Sequence, residues 1–161
     1  GKGLIVGALA RVYLQNQFLN PLAKKFFQKI SLDFTNPYYN NLAQAIEILH
    51  FLEETEKILK DLLKKKWPKI KPIKPNYQKL NRGIGFVEAP RGTLYHEYQI
   101  DQAGLIKEAN IVTPTVQNLT SIERVAQKIL DNYKNLEIKK KEKLIEMLVR
   151  AYDPCLTCSV H

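Results

Sequence analysis

Residues 41–66 read NLAQAIEILHFLEETEKILKDLLKKK and decide the fold of the first half of the chain. Apolar side chains recur at helical spacing, and lysines gather in the last turn, where cations suit the negative end of the helix dipole. The apolar positions are Leu42, Ala45, Ile46, Leu49, Leu52, Ile58, Leu59, Leu62 and Leu63. This pattern predicts a long amphipathic helix with one buried stripe.

Shorter elements are predicted on both sides of this helix. Upstream, Pro21 at a first helical position and Asn20 as a possible cap predict a helix over residues 21–29, whereas the glycines of the N-terminus suit a turn. Downstream, three short stretches are rich in β-forming residues, with a hairpin turn at 101–104 between the last two. These stretches are residues 85–88, 93–100 and 105–112.

Two further helices are predicted near the end of the chain. One begins after a cap at Thr120 or Ser121 and runs through Leu130, and the other covers residues 140–151. The fold class is therefore α+β and mainly helical, with long amphipathic helices and a small antiparallel sheet. We divide the chain into a helical segment (1–66), a lysine- and proline-rich connector (67–83), a β-hairpin region (84–118) and C-terminal helices with a cysteine segment (119–161).

Composition excludes several classes of protein. The chain has 161 residues and a net charge of +9. Since 45% of the residues are hydrophobic and only seven are Gly and eight Pro, the chain is not disordered, collagen-like or of low complexity. Residues 60–74 hold seven lysines against one aspartate, a surplus of six positive charges broken by prolines. A solvated helix end and a stiff connector explain this surplus better than nucleic-acid binding. No run of roughly 18 apolar residues predicts a membrane span.

The two cysteines of the chain form the C-x-x-C pair Cys155 and Cys158, followed by His161. Two thiols at this spacing can point at one ion, and the histidine adds an imidazole. Three ligands do not close a tetrahedral site, so half a zinc site, a redox pair and two buried small residues all remain open.

Two other stretches carry unusual polar residues. Residues 88–96 read EAPRGTLYH and place Arg91 between Pro and Gly, on a rigid turn that leads into a strand. Residues 113–118 read TPTVQN and are expected to form a loop where the hairpin ends. Each stretch taken alone is more often a surface loop than a functional site.

Together these stretches resemble one family. The motifs are E-A-P-R-G-x-L-x-H at 88–96, P-T-x-x-N at 114–118 and R-A-Y-D-P-C-x-x-C-x-x-H at 150–161, with V-G-A-L-A-R at 6–11. In order and spacing they resemble the C-terminal half of the large subunit of nickel–iron hydrogenases. The terminal histidine is most similar to the cytosolic bidirectional and cofactor-coupled branch. The resemblance implies that the chain is cytoplasmic and forms part of the larger large-subunit fold.

The resemblance implies roles for the residues at the metal centre. Cys155 would be a terminal nickel ligand, and Cys158 would bridge nickel to an iron that carries carbon monoxide and two cyanides. Heterolytic splitting of hydrogen would make the Cys155 thiolate a candidate proton acceptor. Arg91 would lie over the metals, and Asp153 would orient its guanidinium.

Further roles are implied around that centre. The backbone at Pro90 and the hydroxyl of Thr115 would hydrogen-bond the cyanides, which need donors when buried. His161 and the backbone carbonyl of Ile111 would hold a magnesium or iron(II) ion near the C-terminus. His96 matches the motif, but packing in the core is the simpler interpretation of that residue.

The family's second C-x-x-C, in an R-x-C-G-x-C context, is absent from this sequence. The chain would therefore supply two of four nickel thiolates, and we expect the N-terminal half of the large subunit on another chain. The lack of an initiator Met suits a processed or split chain, and an end at His161 suits the mature form. An iron–sulfur small subunit, further electron-transfer subunits and hydrogen as substrate complete the implied partners.

Two other functions compete with this interpretation. A structural or assembly module could bind zinc through Cys155, Cys158 and His161. An interaction protein could keep the fold and lose turnover, although the presence of Arg91, Asp153 and both cysteines argues against it.

Overall fold

The structure is a computed structural model and describes residues 4–66, 71–72 and 81–155. Five α-helices and three strands follow one another along these residues. The elements are α1 Ala8–Gln15, α2 Pro21–Phe27, α3 Asn40–Lys64, β1 Arg82–Ala89, β2 Gly92–Ile100, β3 Ile106–Val112, α4 Pro114–Asn132 and α5 Ile138–Tyr152. Short 3-10 turns at Asn16–Phe18 and Pro37–Tyr39 precede α2 and α3. The predicted α+β class with a small antiparallel sheet is confirmed.

The sheet is antiparallel with strand order β1-β2-β3. The register pairs Ala89 with Gly92, so β1 and β2 are joined by a two-residue turn. The hairpin turn at 101–104 is confirmed, since the Asp101 carboxylate accepts the backbone N–H of Ala103 and Leu105, each at 2.9 Å. β1 begins at Arg82, inside the range assigned to the connector, and most of that range lies outside the described residues.

The core of the first half is small and lies where α1 and α2 pack on the first turns of α3. Ala8, Leu9, Ala23, Ala43 and Ile46 are each at most 2% exposed. Complete burial of such side chains stabilises the helix packing by roughly 1.5–3 kcal/mol for each large one. The long helix is thus confirmed and held at its N-terminal end.

The single buried stripe predicted for α3 is wrong for the second half of the helix. Ile58, Leu59, Leu62 and Leu63 are between 40% and 87% exposed. α3 packs mainly on α1 and α2 near its start, so its C-terminal turns present apolar side chains with little cover from the described residues. The helical spacing indicates an apolar face, but this chain alone does not bury it.

Helix α1 is missing from the sequence-based prediction, which expected a turn. Gly7 provides the turn, with φ of 115°, and the helix begins directly after it. The eight residues of α1 lack a side-chain cap, and Ala8, Leu9 and Val12 are buried. Tertiary packing therefore stabilises a helix that would be too short to persist alone.

Helix α4 begins at Pro114, so the loop predicted for residues 113–118 and the cap at Thr120 or Ser121 are wrong. Thr113 is the true cap, because its side-chain oxygen accepts the N–H of Val116 at 3.3 Å. Proline suits the first helical position, where its missing N–H costs no hydrogen bond. The P-T-x-x-N motif is consequently the first turn of a helix, and its residues lie on defined helical faces.

Helix α5 is confirmed and ends at Tyr152, followed by Asp153 in the left-handed conformation. Its last turn packs on α4, where the hydroxyls of Tyr152 and Ser121 lie 2.8 Å apart in the buried interface. Asn20 precedes α2 but makes no side-chain capping hydrogen bond, because its Oδ1 accepts a hydrogen bond from Lys57 Nζ instead.

Asn118 attaches the N-terminal segment to α4. Its Oδ1 accepts the N–H of Val6 at 2.9 Å, its Nδ2 donates to the Val6 carbonyl at 3.2 Å, and the residue is 3% exposed. Asn118→Ala is expected to lower the free energy of unfolding by about 1–3 kcal/mol, because both Val6 groups lose their partner. Asn132→Ala, at the exposed end of the same helix, is the control, and chemical denaturation measures both. Equal effects of the two substitutions on the free energy of unfolding would contradict the role of Asn118 in attaching the N-terminal segment.

Candidate metal centre

The turn between β1 and β2 carries Arg91 to the end of α5. The Arg91 Nε donates to the backbone carbonyl of Asp153 at 2.7 Å, and Nη2 forms an ion pair with Oδ1 of the same residue at 3.1 Å. These two residues are 62 positions apart, and both side chains are about two-fifths exposed, at 42% and 38%. The structure thus brings together two residues singled out from separate motifs.

Asp153 has an uncommon backbone conformation, with φ of 48° and ψ of 57°. A residue other than glycine adopts this region at a cost in conformational free energy, and residues in such conformations cluster at functional sites. Four hydrogen bonds hold it: its N–H donates to the Arg150 carbonyl, Arg91 donates to both its carbonyl and Oδ1, and Gln44 Nε2 donates to Oδ2 at 3.3 Å. The left-handed residue turns the chain away from the axis of α5 and leads it to Pro154 and Cys155.

Cys155 lies against the first turn of α4. Its backbone N–H donates to the hydroxyl oxygen of Thr115 at 2.9 Å. Because that oxygen acts as an acceptor here, the hydroxyl hydrogen of Thr115 remains to be donated elsewhere.

Pro90 cannot play the part that the resemblance implied for it. Proline has no backbone N–H and so cannot donate to a cyanide. Its carbonyl instead accepts a hydrogen bond from Arg11 Nη2 at 2.7 Å. The next amide N–H in the turn belongs to Arg91, which is the backbone donor this turn can offer to an anion.

The remaining residues singled out from sequence lie elsewhere. Cys158 and His161 fall outside the described residues. Ile111 lies on β3, opposite His96, and is 48% exposed. The His96 ring nitrogen lies 2.7 Å from the Tyr98 hydroxyl, which agrees with a packing role. Within residues 4–66, 71–72 and 81–155, no three His, Cys, Asp or Glu side chains are grouped closely enough to hold a metal ion.

Sequence reasoning assigned no individual role to three residues that connect the site to the helices. Asn40 joins the start of α1 to the end of α5, since it accepts the Leu9 N–H at 3.0 Å and donates to the Ala151 carbonyl at 2.8 Å. Gln44 contacts Asp153, and Arg11 contacts the turn that carries Arg91. The sequence signal that could have identified such residues is a polar side chain on an otherwise apolar helical face, as at Arg11 in the stretch GALARVYL.

Gly7 lies directly against the β1–β2 turn that carries Arg91. A Cβ built on it would approach the carbonyl oxygen of Arg91 to 3.0 Å, and its φ of 115° disfavours any other residue. Gly7→Ala is expected to destabilise the fold by about 1–3 kcal/mol, through backbone strain and displacement of the turn. The matched control is Gly85→Ala, since no atom lies within 4 Å of a Cβ there. A thermal melt in which both variants unfold together would refute this contact.

Comparisons with known proteins agree with the arrangement of these motifs. The nickel-dependent hydrogenase family profile matches residues 1–161. The α subunit of sulfhydrogenase 1 from Pyrococcus furiosus is 39% identical over the whole chain, which covers 37% of that subunit. The β subunit of the NAD-reducing hydrogenase HoxS from Cupriavidus necator is 35% identical, with 97% of this chain and 33% of the subunit covered.

Among solved structures, the NAD+-reducing [NiFe]-hydrogenase in its H2-reduced state superimposes with a TM-score of 0.82 at 28% identity. The alignment covers 99% of this chain and 36% of the other. The chain thus spans about a third of the length of the relatives that it matches, and the alignments cover nearly all of this chain. By sequence and by fold, this chain belongs to the nickel-dependent hydrogenase family.

Proposed function

We propose that this chain is the C-terminal part of a nickel–iron hydrogenase large subunit and contributes to a site for reversible, heterolytic oxidation of hydrogen. The observation that carries the proposal is the convergence of three distant motifs. Arg91 from the β1–β2 turn contacts Asp153 beyond α5, and Cys155 two residues later contacts Thr115 on α4. A scaffold protein has no need for a cationic guanidinium, a carboxylate and a cysteine at one point.

The residues present fit a NiFe(CN)2(CO) centre. Cys155 and Cys158 would supply soft thiolate donors, which suit nickel, and the centre when bound supplies the heterolytic cleavage of hydrogen. Arg91 would place a planar cation beside the metals, and its bonds to Asp153 would fix that cation in one orientation. The hydroxyl hydrogen of Thr115 would be donated to a cyanide. Cys155 Sγ would accept the proton that leaves the substrate.

The proposed site is incomplete without another polypeptide. This chain contains two of the four thiolates, and we propose that the other two come from an N-terminal half carrying R-x-C-G-x-C. Support comes from an open apolar groove of about 830 Å³ that reaches from α3 to the turn beside Arg91. Ile48, Phe51 and Leu52 line it and are each more than half exposed. Apolar side chains beside a metal site suit burial by a further part of the large subunit.

The wider assembly follows from the same proposal. An iron–sulfur small subunit would conduct electrons, and further electron-transfer subunits would pass them to an acceptor. His161 and the carbonyl of Ile111 would hold magnesium or iron(II). We place the complex in the cytoplasm, as in the branch that the motifs resemble. None of the described helices combines the length and the apolar character that crossing a bilayer requires.

The zinc-binding alternative has no support from the two relatives named above, which are both hydrogenase subunits. The two possibilities differ in metal content. The native complex, purified anaerobically under reducing conditions, is expected to contain nickel and iron and to show infrared bands of metal-bound carbon monoxide and cyanide. Stoichiometric zinc without those bands would refute the hydrogenase assignment.

A further inference from the structure

Arg11 makes an unusually complete set of hydrogen bonds. Its Nε and Nη2 donate to the two carboxylate oxygens of Glu47 on α3, each at 2.7 Å. Nη1 donates to Glu88 at 2.5 Å and to the Ala89 carbonyl at 3.1 Å, and Nη2 also donates to the Pro90 carbonyl at 2.7 Å. A guanidinium has five N–H donors, and all five have acceptors here.

These acceptors belong to two different parts of the fold. Glu47 lies on α3, whereas the other three acceptors are consecutive residues at the end of β1 and in the turn before Arg91. The Arg11 side chain is 19% exposed. Burial lowers the pKa of Arg11, but its hydrogen bonds to Glu47 and Glu88 outweigh that effect and raise the pKa above the ordinary value. The guanidinium therefore stays charged while it joins α1, α3 and the turn.

Two residues shortly before Arg11 also pack against the turn. Gly7 lies against the carbonyl of Arg91, and Val6 packs so closely on Gly92 that a Cβ there would approach Val6 Cγ2 to 2.7 Å. The turn is thus contacted both by Val6 and Gly7 and by the Arg11 guanidinium.

We propose that Arg11 is a positioning residue for the metal centre: by binding the carbonyls of Ala89 and Pro90 it sets where the Arg91 amide and guanidinium lie. This inference rests on the proposed function. Lysine cannot replace Arg11 in this role, because one compact ammonium with three donors cannot bridge a carboxylate and two adjacent carbonyls. A merely structural ion pair would affect stability and leave the environment of the metals unchanged.

The test uses the native complex with Arg11→Lys, and Arg82→Lys is the matched control. Arg82 lies at the opposite end of β1 in an exposed ion pair with Glu97. Arg11→Lys is expected to keep nickel and iron, to shift the infrared bands of cyanide, and to lower kcat about 10- to 100-fold, since small displacements of positioning groups have effects of this size. Arg82→Lys should match the wild-type complex in all three readouts.

A double-mutant cycle separates positioning from general damage. If Arg11 acts through Arg91, Arg11→Lys lowers kcat much less in a complex that already carries Arg91→Lys than it does in the wild-type complex. Unshifted bands together with a kcat equal to that of Arg82→Lys would overturn the proposal, as would fully additive losses. If the Arg11→Lys complex does not assemble, Glu47→Gln replaces it, because that substitution weakens the binding of the same guanidinium. Glu47→Gln should then shift the cyanide bands by a smaller amount, and the absence of any shift would overturn the proposal. A wild-type complex without nickel, iron and the bands refutes the proposed function itself, and Arg11's role with it.

Discussion

Arg91→Lys is expected to lower hydrogen turnover about 100-fold while the nickel and iron content stays at the wild-type level. Arg91 uses two donors of its planar guanidinium on Asp153, one on the backbone carbonyl and one on the carboxylate. An ammonium cannot reproduce that pair of bonds and present a planar donor to the metals at once. A 100-fold loss corresponds to about 2.7 kcal/mol in the barrier.

Hydrogen uptake with an artificial electron acceptor measures this effect, alongside metal analysis of the same preparation. Arg82→Lys is again the control, since it changes an exposed arginine of β1 that contacts Glu97 rather than Asp153. The role of Arg91 is contradicted if its variant turns over hydrogen at the rate of the control. Loss of nickel from the Arg91 variant would instead assign the residue to assembly of the centre.

Cys155→Ala is expected to remove nickel from the complex, with at least a tenfold drop in nickel per complex and loss of turnover. The substitution removes one soft sulfur donor and keeps the backbone N–H that donates to Thr115. Local structure around the first turn of α4 should therefore persist. Elemental analysis measures nickel and zinc together, and circular dichroism checks the fold.

Thr35→Ala is a suitable control for Cys155→Ala, because it alters a small exposed side chain whose hydroxyl donates only to Asp33 in its own turn. Unchanged nickel in the Cys155 variant would contradict the assignment of that residue as a ligand. Loss of zinc from a complex that never contained nickel would favour the zinc module.

Much of the site could be predicted because its residues lie in short local motifs. The turn that presents Arg91 needs Pro before it and Gly after it, and Asp153 with Pro154 marks the end of α5. The contacts between these motifs span 40 to 62 positions and leave no periodic signal. The resemblance to a family, rather than any pattern of spacing, indicated that they meet.

The sequence-based predictions that the structure contradicts have physical causes. Thr113 and Pro114 form a helix start, and the hydroxyl and amide side chains of residues 113–118 made the stretch resemble a loop. Helix α1 is too short for a clear period and depends on packing against α3. The exposed second half of the α3 stripe shows that helical spacing identifies an apolar face but not whether this chain covers it. Arg11 was missed as a functional residue because its partners lie 36 to 79 positions away.

We propose that this chain, together with an N-terminal half of the large subunit, holds a nickel–iron centre. The decisive measurement is infrared spectroscopy of the native complex, purified anaerobically and assayed for metals. We expect one nickel and iron-bound carbon monoxide and cyanide bands that disappear in Cys155→Ala. A native complex with no such bands, or with bands that survive loss of Cys155, would contradict the claim.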